Sequence, residues 1–505
     1  MLTRLKVSGF KNLVDVDVRF GPFTCIAGVN GVGKSNLFDA IRFLSALADR
    51  PLIDAASSDR DTGGRTSDVR SLFHRVGDEY DREMSFEVEM IVPSKGVDDL
   101  GQEASATSTF LRYSLVLAYR ENLTNGSLGP LEIQKEQLAH IPKGEAKENL
   151  YFTHSPAWRK SSVKSRRWTR YFISTQEQEG TRQIKLHQDG GGRGKPQTFQ
   201  ALNLPRTVLS ATNAAESPTA LLARREMQSW RLLQLEPSSL REPDDFSSLA
   251  RISSNGSHLP ATLYRLARKE QPEWKTEEES AVYQQVSNRL CDLIDDVRSI
   301  RVDRDERKGR DTLLTIYVMG KDGTSHAARA LSDGTLRFLA LAVIAQDPEF
   351  QGVLCLEEPE NGIHPERIPS MIGLLQHIAV DPEESIDDDN PLRQVIVNTH
   401  APTIVQQVPD DSLLVAVPKE FSRNCSFFRG VQFRCLTDTW RAREPGMPTC
   451  SRGDILSYLN PVLPNTEDQD REEMPNRRRA ASAKRRVRDR EDMKQLLLPL
   501  PSNAS

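Results

Sequence analysis

FTCIAGVNGVGKSNLFDAIRFLSALAD, residues 23–49, decides how this chain is read. Its first six residues are almost wholly apolar, as a strand covered on both faces must be. Its last fourteen, from Asn36 to Asp49, have the spacing of an amphipathic helix. Between them Gly28-Val-Asn-Gly-Val-Gly33-Lys34-Ser35 matches GxxxxGK[ST], and a strand before with a helix after is the setting that motif requires. The glycines let the backbone curl so that its N–H groups face phosphate oxygens, and the helix N-terminus adds the positive end of its dipole. Lys34 supplies a point charge for the β and γ phosphates, and Ser35 a hydroxyl ligand for Mg²⁺. Gly28, Asn30, Gly31, Gly33, Lys34, Ser35 and Asn36 are therefore expected to bind a nucleotide, Asn36 by position alone.

Three later stretches extend this reading. Val353-Leu-Cys-Leu356 is a short apolar strand ending in Glu357-Glu358. An acid there can hold the Mg²⁺ shell, which assigns Glu357, and a second acid beside it can orient or deprotonate a water, which assigns Glu358. Asn398-Thr399-His400 follows the apolar run QVIVN, and a histidine at the carboxyl end of such a strand can reach a γ-phosphate. LSDGTLRFLALAVIAQ, residues 331–346, places Ser332 where a helix N-cap belongs. A cap leaves Gly334 unexplained.

The totals narrow the class. A length of 505 residues suggests two to four domains. With 27% charged and 37% hydrophobic residues the chain reads as soluble and globular. A net charge of -4 excludes a general nucleic-acid coat, so any DNA contact needs a local patch. No apolar run approaches the roughly 18 residues of a membrane span. MLTRLKVSGFKNL lacks the apolar segment of a signal peptide, so a cytoplasmic protein without membrane contact is expected. Cys25, Cys291, Cys355, Cys425, Cys435 and Cys450 form no CxxC pair and read as reduced thiols.

Along the chain, residues 2–27 read as three strands, while MSFEVEMIV and TFLRYSLVLAYR form an antiparallel layer. Residues 50–80 look polar and loop-like, while 155–200 are polar and basic in their first half and hold DGGGRGKPQ, read as a flexible loop, in their second. Residues 213–300 look largely helical, and DTLLTIYVMG reads as a strand. Arg159, Lys160, Lys164, Arg166, Arg167 and Arg170, interleaved with Trp158, Trp168 and Tyr171, form either a surface that meets phosphates and stacks bases or a solvated loop. The arginine-rich stretch 477–490 allows nucleic-acid binding, partner docking or plain solubility.

In this order, FKNL, GVNGVGKSNLFDAIRFL, LSDGTLRFLAL, LEEPENGIHP and VNTHAP resemble the motifs of ABC-type ATPase heads of the RecF, SMC, Rad50 and OLD group. The resemblance is close over residues 1–50 and about 325–417, and loose over 200–325. It implies an α/β fold: an ABC-type P-loop head with a mixed β-sheet core, an antiparallel β layer and an inserted, mainly helical subdomain. The segments are then 1–95, the first part of the head with the Walker A loop; 96–200, the β layer and basic insertion; and 201–325, the helical subdomain. There follow 326–417, the rest of the head with signature, Walker B and histidine switch; 418–464, a small extension; and 465–505, a charged tail. ATP and Mg²⁺ are the implied ligands. LSDGT looks like the signature, with Ser332 and the Gly334 backbone offered to the γ-phosphate held by a second subunit.

The resemblance also implies roles for Glu358 as catalytic base and His400 as switch. Glu360, Asn361 and Gly362 look like a loop that signals across a dimer. Gln134 and Gln137 stand as candidates for the Q-loop glutamine. Without heptad rods, the chain looks like a stand-alone subunit of the kind found in bacterial anti-phage defence operons. It would work as a homodimer, or a higher oligomer of ATP-sandwiched dimers, beside a nuclease effector encoded nearby, with DNA as a further candidate partner. The alternatives are a RecF-like repair ATPase that binds DNA directly and a nuclease with an unrecognised C-terminal site.

Overall fold

Apolar strands of five to seven residues with no polar alternation can only be satisfied between two packed layers. The computed structural model describes residues 1–57, 68–121, 129–166, 170–178, 180–189, 195–270, 280–294, 296–305, 312–423, 426–451 and 453–455. In it the strand Phe23–Ala27 lies inside a seven-stranded sheet. The order is Arg231–Leu233, Gly352–Glu357, Arg393–Thr399, Phe23–Ala27, Leu413–Arg423, Ser426–Leu436, Thr449–Cys450. The first five strands are parallel. Register pairs Glu357 with Asn398 and Thr399 with Ala27, so the carboxyl ends of these strands reach one level.

Alternate residues divide between the two faces, as a pleated strand dictates. Ile26, Val353, Cys355 and Ile396 pack towards the helix Lys34–Leu47 and a second sheet. Cys25, Leu354, Leu356, Val395 and Val397 pack towards the helices Leu259–Glu270, Ala281–Cys291, Asp333–Gln346 and Ile368–Ile378. The second sheet has eight antiparallel strands and joins Leu2–Ser8 and Val16–Arg19 to Glu83–Ile91, Phe110–Tyr119 and Leu131–His140. These described residues belong to one compact unit, Met1–Asn460.

Several expectations are corrected. Residues 155–200, for which the sequence showed no regular elements, hold the helix Pro156–Ser162 and the strands Tyr171–Gln178, Thr181–Leu186 and Gln197–Gln200, and the three strands complete the second sheet. Their exposed edge positions weaken the apolar signal, as in YFISTQEQ, whose last three residues face solvent. Of the expected loop DGGGRGKPQ, residues 190–194 lie outside the described residues. Between 229 and 258 the expected helix gives way to the strand Arg231–Leu233 and a five-residue helix, Pro237–Arg241. Residues 50–80 hold a short helix, Leu52–Ser57, and a paired turn of strands, Arg75–Val76 with Glu79–Tyr80. The strand Leu413–Arg423 runs through residue 417, where the sequence placed a boundary.

Trp158 is fully buried, its ring edge-on to Phe152 at 5.3 Å and against His154 at 5.4 Å. It cannot stack a base. Trp168, Arg167, Cys425 and the stretch 477–490 lie outside the described residues. The five described cysteines carry free thiols, and no described helix is long and apolar enough to cross a membrane. Trp158→Ala should cost about 3–5 kcal/mol through the cavity it leaves. A lowered melting temperature with unchanged DNA retention is the expected measurement.

Candidate active site

At the common carboxyl end of the parallel strands the chain leaves the sheet in four loops. A cavity of about 660 Å³ opens between them. The phosphate loop contributes Asn30, Gly31, Gly33, Lys34, Ser35 and Asn36, the other loops Gln234, Glu357, Glu358 and Asn398, and the helix Asp333–Gln346 adds Arg337 and Leu341.

Gly33 caps the helix Lys34–Leu47 with φ 110°, a left-handed conformation that favours glycine. A Cβ at Gly33 would stand 2.1 Å from the Asn12 side-chain nitrogen. Asn12 is the asparagine of FKNL, and its Nδ2 donates to Val32 O at 3.0 Å. Its Oδ1 accepts from Asn36 Nδ2 at 2.8 Å. Asn36 thus lines the cavity and also braces the loop, through a partner the sequence reading did not assign. Gly28 is buried at the foot of the loop. Lys34 Nζ donates to Gly28 O at 2.6 Å and to Val29 O at 3.0 Å. Burial lowers the pKa of Lys34, while Glu358, Glu360 and Glu357 act in the opposite direction.

Glu357 closes its strand with its carboxylate accepting from Gln234 Nε2 at 3.0 Å and from Asn398 Nδ2 at 3.4 Å. Gln234, just beyond the strand Arg231–Leu233, is the glutamine at the site. Gln134 and Gln137 sit on the strand Leu131–His140 of the other sheet, where Gln134 accepts from Arg182. No local pattern in the sequence favoured them. The signal for Gln234 was its place after a short apolar strand, in RLLQLEP.

Glu358 has φ 46°, a conformation costing a non-glycine residue about 1–3 kcal/mol. Its N–H reaches back to Asn398 O at 3.0 Å. This turn aims the side chain at His400, whose Nδ1 lies 2.6 Å from Glu358 Oε1, while Asn361 Nδ2 donates to Oε2 at 3.0 Å.

Ser332 caps the helix Asp333–Gln346, its Oγ accepting from Thr335 N at 3.2 Å. Ser332 is exposed and Gly334 buried. A Cβ on Gly334 would meet Gly362 O at 2.2 Å. The glycine therefore clears space for the backbone of the Glu360–Gly362 loop in its own chain. Arg337 ties the same helix to two cavity loops, donating to Leu235 O at 3.1 Å and to Asn361 O. Among the described residues no group of three or more His, Cys, Asp or Glu is placed to hold a metal ion.

Glycine-rich loop, acid-tipped strand and serine-capped helix around the parallel strands of one mixed sheet define a P-loop ATPase head of the ABC type. A family model described as an AAA domain, putative AbiEii toxin, Type IV TA system, matches residues 125–406. The chain belongs to that family, and a second AAA-domain model matches residues 4–194. No curated protein matches the chain.

Solved structures that align with it include SMC heads. One, bound to the C-winged helix domain of ScpA, is 14% identical, with 86% of this chain and 98% of that chain covered and a TM-score of 0.41. The SMC head domain from Thermotoga maritima is 10% identical over the same shares, with a TM-score of 0.34. An Smc head from Pyrococcus furiosus with an extended coiled coil, bound to the C-terminal domain of ScpA, is 13% identical, with 86% and 96% covered and a TM-score of 0.39.

Two substitutions test the site. Asn12→Ala should weaken ATP binding about tenfold, or ~1.4 kcal/mol, by loosening the loop, as read by titration with a fluorescent analogue. Gly334→Ala should lower ATP turnover about tenfold or more by displacing the Glu360–Gly362 loop, with ATP affinity within about threefold.

Proposed function

We propose that two copies of this chain close on two molecules of MgATP, hydrolyse them and reopen, and that this cycle gates a partner effector in anti-phage defence. The observation that carries the reading is the separation of Ser332 from the cavity. The flank of its helix lines the nucleotide loops through Arg337 and Leu341, yet its exposed N-terminal serine does not. A serine and a helix dipole turned to solvent are suited to an anion brought by another molecule.

The donor set fits Mg²⁺. Ser35 and Glu357 offer hard oxygen ligands, with Gln234 beside the carboxylate, and so few protein ligands suit an ion that keeps waters and phosphate oxygens around it. When bound, Mg²⁺ supplies charge neutralisation at the β and γ phosphates. The chain's own residues do the rest. Backbone N–H groups of residues 30–35 cradle the phosphates, and Lys34 turns from the carbonyls of Gly28 and Val29 towards them. Glu358, steadied by His400 and Asn361, takes the proton of the attacking water. The water oxygen bonds to the γ-phosphorus, the bond to the β–γ bridging oxygen breaks, and ADP and phosphate leave. His400 then stands where it can report the γ-phosphate.

The family description, a putative AbiEii toxin of a Type IV TA system, supports a role within a multi-gene system, and the partner in this reading is a nuclease encoded nearby. A RecF-like role in DNA repair is the second reading. Lys160, Lys164, Arg166 and Arg170 are exposed on the basic stretch and Tyr171 is half-buried beside them, but the burial of Trp158 removes one of its stacking aromatics.

Glu358→Gln should bind ATP, hydrolyse it at least about a hundredfold more slowly and accumulate as a dimer in size-exclusion chromatography with ATP. Wild-type turnover in that variant would sink the base assignment. Chelation by EDTA should abolish turnover, and Mg²⁺ should restore it. Turnover raised by single-stranded, nicked or linear duplex DNA would favour the repair reading, and indifference to DNA the protein-partner reading.

A further inference from the structure

We infer that Glu360 and Thr399 form a buried clasp that positions Glu358 and His400 for each other, an inference that rests on the hydrolytic reading above. The Glu358–His400 contact is open to water, its side chains 32% and 41% exposed. A side-chain contact so exposed holds geometry poorly by itself. Yet both groups sit at ends of neighbouring strands, Glu358 after Gly352–Glu357 and His400 after Arg393–Thr399, and something must fix those ends.

Glu360 turns inward between them. It is 8% exposed, against 0% for Thr399 and Cys25. Thr399 Oγ donates to Glu360 Oε1 at 2.5 Å and accepts from Ala401 N at 2.9 Å. One hydroxyl thus holds the backbone on both sides of His400. On the other strand end, Ile363 N donates to Glu360 O at 2.9 Å and Asn361 N to Glu358 O at 3.1 Å. The loop carrying Glu358 is thereby folded around Glu360.

The carboxyl is kept there against its own solvation. Burial pushes its pKa up, and Oε2 is buried with no hydrogen-bond partner among the described residues. A leucine would fill such a place more comfortably, but it would accept nothing from Thr399. Burial also turns this side chain away from solvent, so its part in any signal between subunits runs through the backbone of its loop. No reacting atom touches Glu360, and it is a positioning residue.

The test measures kcat, ATP affinity and melting temperature for four variants. Thr399→Ser and Glu360→Gln keep a donor and a neutral acceptor, and kcat should stay within about twofold of the wild type. Thr399→Val and Glu360→Leu remove the clasp, and kcat should fall at least about tenfold while ATP affinity changes less than about threefold. Should Thr399→Val fail to fold, Thr399→Ala removes the same donor and carries the same expectation. Wild-type turnover in the clasp-free variants overturns the inference, as does a Glu360→Gln chain as slow as Glu360→Leu. A fall in kcat that merely follows lost ATP affinity and melting temperature would also overturn it. A wild-type chain that does not hydrolyse ATP would instead overturn the hydrolytic reading first.

Discussion

The parallel ladder between Phe23–Ala27, Arg393–Thr399 and Gly352–Glu357 is the constraint on which the site depends. Parallel strands in register end together, and whatever follows each strand is delivered to the same edge. Ala27 hands over to the glycine loop, Glu357 to Glu358, and Thr399 to His400. A slip of one residue would turn every apolar side chain to the opposite layer. The buried faces therefore lock the register, and the register aims the chemistry.

Around that edge the loops are braced by groups that perform no chemistry. Asn12 reaches from FKNL to hold the glycine loop and Asn36 together. Arg337 spans from the helix Asp333–Gln346 to Leu235 and Asn361. Gly334 lets its helix press against Gly362. The left-handed turn at Glu358 persists because Asn398, Asn361 and His400 all grip that residue.

The parts of the site that the sequence made legible are those where local pattern and chemistry coincide. Strand, glycine loop and helix follow one another within residues 23–49, and apolar runs lead into Glu357, Glu358 and His400. What it hid depends on distant partners. Gln234 follows a strand of three residues, too short to stand out from its surroundings. Trp158 looked like a surface aromatic because basic residues flank it, whereas its ring completes a cluster with Phe152 and Trp440. The strands between 171 and 200 are half-exposed at the edge of a sheet, where polar residues are tolerated and alternation fades. The backbone angle at Glu358 leaves no trace in composition at all.

The order in which the sheet's strands occur in the chain bears on how the protein is made. Ala27 must pair with Thr399, and Leu232 with Cys355. A ribosome adding about 5–20 residues per second leaves the first of these strands waiting tens of seconds for its neighbour. Meanwhile the antiparallel sheet can pair most of its strands locally, since Phe110–Tyr119 and Leu131–His140 are close in the chain. Such distant pairing makes for slow closure. The nucleotide pocket is thus assembled only late in synthesis, and a nascent chain stalled before residue 399 carries the glycine loop without the sheet edge that would make it a site.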